Sequence, residues 1–279
     1  NDLSLIEAKF YSESLTCSSS DLELSISFQD VHDRTIMIEI SERDRQAKVP
    51  FTLLAPVGWI SKKPLSLPVY YMYQMSLTRK KHSNIIITVG GRSHKPDVFF
   101  LPFDKSGNYF TRYSLDTFNV DINPCCNGLL QICEAGIRDN LKNGDLHYEL
   151  NRNNGHPEIK KVTVKGERHF CTIDFSSSFP DLLTLKNDIF LTGDFCITSD
   201  TGAGIIKGTY KIENKQNETD IKLHPGLGWI PRESRLLLRL MFKLVKIFKD
   251  WPKSYSWDAK ITLDENGSCF MDSNWNRII

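Results

Sequence analysis

The stretch Tyr255-Ser-Trp-Asp-Ala-Lys-Ile-Thr-Leu263 decides the fold class of this chain. Its odd-numbered positions are apolar and its even-numbered positions are polar. Side chains that alternate with period two indicate a β-strand with one buried face and one face in water. The turn-forming residues Asp264-Glu-Asn-Gly267 follow, and Cys269 and Met271 then resume the alternation. The sequence therefore predicts that this segment forms an antiparallel pair of strands.

The same period-two pattern fills the first half of the chain. Residues 22–28 and 36–40 alternate apolar and polar side chains on either side of a polar loop, which predicts an antiparallel hairpin. Residues 71–77 and 85–89 repeat this arrangement. We therefore expect a second hairpin made of these two segments.

Long polar loops are expected near residues 138–145 and 151–157, and the second half of the chain otherwise resumes the strand pattern. Five further segments are bounded by Gly, Pro, Asn or Asp, at residues 146–150, 159–164, 169–175, 188–198 and 205–212. Consecutive segments of this kind are typical of an antiparallel meander. We therefore expect two antiparallel β domains, residues 1–140 and residues 141–279.

Between Pro231 and Pro252 the apolar period changes from two to about 3.6, which predicts one long amphipathic helix over residues 232–250. Leu240, Leu244 and Phe248 belong to its apolar stripe, and its other side is basic. Helices that cover an antiparallel sheet need this pattern, so we expect the stripe to pack on the second β domain. The alternative is that the basic helix binds a membrane surface or the groove of a protein partner.

The predicted fold class is therefore mainly β, with antiparallel barrels or sandwiches and one long helix near the C-terminus. The segments Pro56-Val-Gly-Trp-Ile60 and Gly226-Leu-Gly-Trp-Ile230 echo each other, and duplicated β domains are one interpretation. On the strand pattern and these two Gly-Trp pairs, the architecture resembles paired lipocalin-like barrels. This resemblance concerns fold class alone and implies no function for any residue.

Composition excludes several classes of protein. The 279 residues contain 35 Lys and Arg against 34 Asp and Glu, so the overall charge gives no reason to expect a nucleic-acid partner. The sequence has no phosphate-binding G-x-x-x-x-G-K-[ST], no H-E-x-x-H, no paired C-x-x-C and no G-x-S-x-G. We therefore expect no cofactor and no metal, and peripheral contact with a membrane stays open through the basic helix.

The seven cysteines are odd in number, and several lie at the inward positions of expected strands, which favours free thiols over a disulfide framework. Cys125 and Cys126 are adjacent, so their redox state is left open. No apolar run is long enough to cross a bilayer. We expect a cytoplasmic protein, with secretion as the alternative because an N-terminal segment is removable by processing.

Aromatic residues provide the candidate ligand site. Tyr71, Tyr73 and Met75 share the inward side of one expected strand, where large amphipathic rings line apolar pockets and orient ligands. Together with Trp59, Trp229 and Trp257 they predict a cavity for a hydrophobic small molecule. The alternative is that the same side chains simply fill a core.

Histidines provide the candidate catalytic groups. His147 and Glu149 share one side of the expected strand 146–150, where they form a general acid and base if that side faces a cavity. The function that follows is binding of a hydrophobic molecule, with cofactor-independent isomerisation or cyclisation as a further step. A water-facing surface is the alternative for this pair. His169 and Cys171 share one side of another strand, and a packed histidine is favoured there over a metal ligand.

Overall fold

A computed structural model provides the structure of this protein. It describes residues 10–17, 21–43, 51–79, 83–94, 110–114, 116–131, 139–199, 202–216, 218–264 and 267–278.

Antiparallel strands make up most of the described chain. In chain order they are β1 Phe10–Cys17, β2 Asp21–Gln29, β3 Thr35–Arg43, β4 Phe51–Ala55, β5 Leu67–Arg79, β6 Ser83–Val89, β7 Arg92–His94, β8 Phe110–Tyr113, β9 Asp116–Ile122, β10 Asn127–Leu130, β11 Asn140–Asn143, β12 Leu146–Asn153, β13 His156–Lys165, β14 Phe170–Phe179, β15 Ile189–Ser199, β16 Ile205–Lys215, β17 Glu218–Ile230, β18 Tyr255–Leu263 and β19 Cys269–Arg277. The helices are α1 Leu236–Leu244 and α2 Lys246–Asp250, with a single 3-10 turn at Leu182–Thr184.

The chain divides into two compact units, and both are discontinuous in sequence. The first comprises Asn1–Pro50 and Met75–Ser114, and the second comprises Phe51–Gln74 and Leu115–Ile279. Both Gly-Trp pairs therefore belong to the second unit, which argues against equivalent positions in two duplicated domains. The division at residue 140 stays a prediction, and in the structure Asn140 is the first residue of β11.

In the first unit, a five-stranded antiparallel sheet has the order β1-β2-β3-β6-β7. The predicted hairpin of residues 22–28 with 36–40 is confirmed, since Ile26 pairs with Ile38 and Leu24 with Ile40. Its turn is held by Asp30, whose carboxylate accepts hydrogen bonds from the backbone N–H groups of His32 and Arg34 and from the Arg34 guanidinium. The hydrogen bond from the Arg34 side chain is the largest cause that lowers the pKa of Asp30 to about 2.

The second predicted hairpin, of residues 71–77 with 85–89, is wrong. β6 pairs with β3, where Ile38 lies opposite Ile87, and its other neighbour is β7. β5 instead pairs with β9 over Leu67 to Tyr73 and with β8 over Ser76 to Arg79. Alternation shows which face of a strand is buried but carries no information about which strand lies beside it, so these two segments pair with other strands.

In the second unit, a ten-stranded antiparallel sheet has the order β10-β19-β18-β17-β16-β15-β14-β13-β12-β11. The predicted meander of the second half and the predicted pairing of β18 with β19 are confirmed, with Trp257 opposite Trp275. Along the described strands this path is open, and no closed barrel is found. The fold is thus mainly β and antiparallel.

One face of this sheet is a core and the other lies in water. In β16 the side chains of Ile206, Tyr210 and Ile212 are at most 2% exposed, whereas the intervening Lys207 and Lys211 are exposed. Trp275 of β19 is also buried, and its indole N–H donates to the carbonyl of Asn123 at 2.8 Å. The period-two pattern therefore appears in the structure as a mainly apolar core face and a mainly polar outer face.

The predicted single helix over residues 232–250 is replaced by two shorter helices. Val245 interrupts them with an extended backbone, φ −74° and ψ 115°. The β-branched side chain of valine favours such extended conformations. Residues 232–235 are not helical, and there the Glu233 carboxylate accepts from the backbone N–H of Arg235 and from its guanidinium. Local side-chain bonds of this kind compete with helical hydrogen bonds.

Replacing Ile212 by Ala tests the core face of the ten-stranded sheet. We expect a loss of about 2–5 kcal/mol in the free energy of unfolding, because Ile212 is fully buried and the truncation leaves a cavity. All five tryptophans lie in the second unit, so urea unfolding followed by tryptophan fluorescence reports on that unit. Lys211→Ala on the exposed face of the same strand is the control and should change stability by less than about 0.5 kcal/mol. Equal effects of the two substitutions would contradict the assignment of faces.

Candidate functional site

The outward face of α1 carries a stripe of exposed leucines. Leu236, Leu240 and Leu244 are 71%, 46% and 77% exposed. They are spaced four residues apart, so their side chains lie one above the other along the helix. We call these three residues the leucine stripe. Contiguous exposed apolar surface of this kind marks a contact site more often than scattered apolar residues do.

Basic residues border the leucine stripe. Arg239 and Lys243 are exposed on α1, and each lies three or four residues from a leucine of the stripe. At 100° per residue they occupy the side of the helix directly next to the stripe. Lys246 and Lys249 of α2 are exposed as well. The surface therefore combines an apolar row with positive charge.

The opposite face of α1 is fixed to the sheet by aromatic packing. Phe242 is 4% exposed, and its ring contacts those of Trp229, Phe248 and Phe51 at centroid distances of 4.9, 5.4 and 6.2 Å. We call these four residues the aromatic anchor. Trp229 is itself held by a 2.9 Å hydrogen bond from its indole N–H to the carbonyl of Ala203. The buried side of α1 is therefore attached to the second unit through these ring contacts.

Glycine at position 204 makes this mounting sterically feasible. Its φ is +81°, a value that residues with a side chain rarely adopt, and an added Cβ would lie 2.4 Å from the Ile230 carbonyl oxygen. Gly204 directly precedes β16, which pairs antiparallel with β15 so that Thr198 lies opposite Ile205. Gly204 therefore allows the close approach of this segment to Trp229.

The sequence-based orientation of the helix is wrong in one respect. Leu240 and Leu244 were expected to pack on the sheet, yet both are exposed, and Phe242 is buried in their place. The apolar residues cover more than half of the helical circumference, so periodicity alone could not select the inward side. A larger aromatic ring reaches the Trp229 pocket and determines the rotation of the helix about its axis.

A second cluster lies at the turn between β13 and β14. The Nε2–H of His169 donates to the carboxylate of Asp116 at 2.7 Å, and the imidazole stacks on the ring of Tyr73 with centroids 4.0 Å apart. The hydroxyl of Ser199 donates to the Phe170 carbonyl at 3.0 Å and accepts a hydrogen bond from the hydroxyl of Tyr73. Side chains of His169 and Asp116 are 15% and 20% exposed, so this cluster reaches the surface.

The turn geometry positions His169. The backbone N–H of Gly166 donates to the carbonyl of His169 at 2.8 Å, and the ring of Phe118 packs so close to Gly166 that an added Cβ would lie 2.7 Å from it. Sequence reasoning singled out Tyr73 and noted His169, but it missed Asp116. The distance of 53 residues between Asp116 and His169 gives no local signal of their pairing.

The other predicted ligand residues are mostly packed in cores. Tyr71, Met75 and Trp257 are 0%, 3% and 6% exposed, Trp229 belongs to the aromatic anchor, and Trp59 is half-buried beneath the Arg277 guanidinium at 5.0 Å. The predicted pair His147 and Glu149 lies on β12 next to the edge strand β11, with His147 half-buried and Glu149 exposed. The ligand and catalytic roles of these residues stay predictions.

Comparisons with known proteins give no assignment: no protein-family model, curated protein or solved structure matches this chain. Within the described ranges, none of the helices is both long and apolar enough to traverse a bilayer. The described residues also contain no group of three or more His, Cys, Asp or Glu side chains placed to hold a metal ion. Five described cysteines are free thiols: Cys125, Cys126, Cys171, Cys196 and Cys269.

Replacing Glu233 by Gln tests the segment that leads into α1. The hydrogen bond from the Arg235 side chain is the largest cause that lowers the pKa of Glu233 below its ordinary value of 4.5. A carboxylate whose pKa is lower in the folded state stabilises the fold at pH values above its unfolded-state pKa. This stabilisation is lost as the pH falls through the folded-state pKa. We expect Glu233→Gln to cost about 1 kcal/mol at pH 7 in urea unfolding and to approach wild-type stability well below pH 4.5.

The exposed Glu167 provides the control for this measurement. Glu167→Gln should leave the free energy of unfolding unchanged within about 0.5 kcal/mol. A pH-independent loss in Glu233→Gln would show that the carboxylate charge contributes nothing.

Proposed function

We propose that this chain is a peripheral membrane-binding protein that attaches to anionic lipid through the leucine stripe and the adjoining basic residues. The exposure of three aligned leucines on α1 is the observation that carries this proposal. No catalytic step is part of it.

The energetic argument rests on two favourable terms. Full burial of a leucine side chain stabilises by about 1.5–3 kcal/mol, and an interfacial helix places its apolar row at the boundary of the acyl chains. Each Lys or Arg near an anionic surface adds about 1 kcal/mol at physiological salt. Three leucines with Arg239 and Lys243 thus provide enough free energy for reversible attachment.

The anchoring of α1 favours a lipid surface over insertion into a protein groove. The aromatic anchor holds one side of the helix against the sheet, so only the outward side is accessible. A lipid interface needs only one side of a helix and no complementary shape. The positive charge beside the stripe favours anionic headgroups over zwitterionic ones.

Co-sedimentation with vesicles tests this proposal. Wild-type protein should bind vesicles of phosphatidylcholine with 30% phosphatidylserine, and Leu240→Glu with Leu244→Glu should weaken binding by at least about tenfold, since a loss of 1.4 kcal/mol lowers affinity tenfold. Leu183→Glu, at an exposed position on the 3-10 turn, is the matched control and should bind as the wild type does. Glutamate and leucine have similar helix propensities, so the substitutions should leave α1 intact.

Charge reversal separates the two contributions. Arg239→Glu with Lys243→Glu should abolish the preference for phosphatidylserine, whereas Lys186→Glu at a distant exposed position should preserve it. Binding of none of these vesicles by the wild type, or equal binding by the stripe variant, contradicts the proposal.

A second candidate function is supported by the cluster at Tyr73, His169 and Asp116. In this proposal the second unit acts in a lipocalin-like manner and binds a hydrophobic small molecule, with acid and base groups that serve a cofactor-independent isomerisation or cyclisation. An imidazole oriented by a carboxylate is the usual arrangement for moving a proton at neutral pH. The 4.0 Å stack of Tyr73 on His169 places a phenol hydroxyl near that imidazole.

Native mass spectrometry tests this second candidate. The wild type should carry a co-purifying lipid or terpenoid-like molecule, and Tyr73→Ala should lose most of it, because that truncation removes the ring on which His169 stacks. Tyr148→Ala, at a half-buried position of β12, is the control and should retain the ligand. A wild-type mass equal to that of the bare chain would count against ligand binding.

A further inference from the structure

The water-facing side of the ten-stranded sheet contains an open cleft of about 440 Å³. Five neighbouring strands, β15 to β19, contribute to its walls. This volume falls within the range of small-molecule sites, about 300–1,000 Å³. The cleft lies on the face opposite to the core, so its side chains are the polar members of the alternating pattern.

The polar side chains of this cleft form two parallel rows across the strands. In the first row Lys211 lies opposite Lys222, Lys222 opposite Asp258, and Asp258 opposite Asn274. In the second row Glu213, Asp220, Lys260 and Asp272 follow in the same way. Side chains on adjacent strands stand roughly 5 Å apart, so the two rows place hydrogen-bond donors and acceptors side by side across the sheet.

Charge in the cleft is nearly balanced, since three lysines face four carboxylates. Lys222 contacts Asp258 at 3.2 Å, and the Asn276 amide donates to the other oxygen of that carboxylate at 3.2 Å. The Asn274 amide lies 3.4 Å from Asp272. A surface with compensated charge has little long-range attraction for an ion and offers many short-range hydrogen bonds instead.

Phe190 is the exception in this polar surface. It lines the cleft opposite Glu213 and is 61% exposed, whereas most of the other residues that line the cleft are charged or polar. The negative face of an aromatic ring attracts weakly positive C–H groups. An exposed ring beside a grid of donors and acceptors therefore matches a ligand that has both a C–H face and many hydroxyl groups.

We propose that this cleft is a binding site for a neutral oligosaccharide, with one sugar ring stacked on Phe190 and the hydroxyls of the following rings bound by Lys222, Asp258 and Asn274. Hydroxyl groups both donate and accept, so they match carboxylates, amides and ammonium groups equally. The balanced charge selects against anionic sugars and nucleic acid. This site is separate from α1 and does not depend on the lipid-binding proposal.

Saturation-transfer NMR with the full chain tests this inference. The probes are maltotriose, cellotriose, laminaritriose and tri-N-acetylchitotriose, each at millimolar concentration. At least one should show transfer to its ring protons. Phe190→Ala and Asp258→Asn should each reduce that signal at least fivefold, whereas Phe170→Ala, at an exposed aromatic position outside the cleft, should leave it unchanged.

Other outcomes overturn the inference. No transfer to any of the four sugars shows that the cleft is a solvated surface. Transfer that persists in Phe190→Ala and Asp258→Asn shows that the sugar binds outside this cleft. If only a heparin-derived tetrasaccharide binds, the ligand is anionic and the neutral-sugar proposal is wrong. Circular dichroism of each variant identifies misfolding. Asn274→Ala removes an exposed amide of the same site and should also weaken the transfer.

Discussion

The separation of the ten-stranded sheet into one apolar face and one charged face is the constraint on which the second unit depends. Successive residues of a strand point to opposite sides. A sequence that alternates apolar and polar residues therefore places the apolar side chains on one face and the polar ones on the other. In β16 this produces Ile206 and Ile212 inside and Lys207 and Lys211 outside. A slip of one residue in any pairing would bury lysines, which strongly fixes the register.

The two candidate surfaces of the second unit follow from this separation. The inward face presents Trp229, and the aromatic anchor built on it buries one side of α1 and leaves the leucine stripe outside. The outward face collects the charged residues that form the cleft beside Phe190. Each surface results from the side chains that the sheet places on one of its two faces.

The sequence was sufficient for features that depend on local alternation. Period two identified the strands of the β2–β3 hairpin, of the second-half meander and of the β18–β19 pair, and in each case strands adjacent in sequence are also adjacent in the sheet. Pairings between distant segments did not follow from it, as the partners of β5 and β6 demonstrate. The link between Asp116 and His169 is of the same kind, because it depends on β9 and the turn after β13 meeting in three dimensions.

Exposing the leucine stripe to water is unfavourable, and the fold does not require leucine at these positions. Scattered exposed residues such as Val31 and Leu183 are ordinary for a protein surface, since apolar atoms form more than half of it. Three leucines aligned on one helix are different, because glutamate or lysine would serve the helix equally well at those positions and would keep it soluble. Among the described side chains of α1, Phe242 makes the ring contacts with the other residues of the aromatic anchor. The stripe therefore contributes little to the buried core, and the proposed lipid contact would account for its composition.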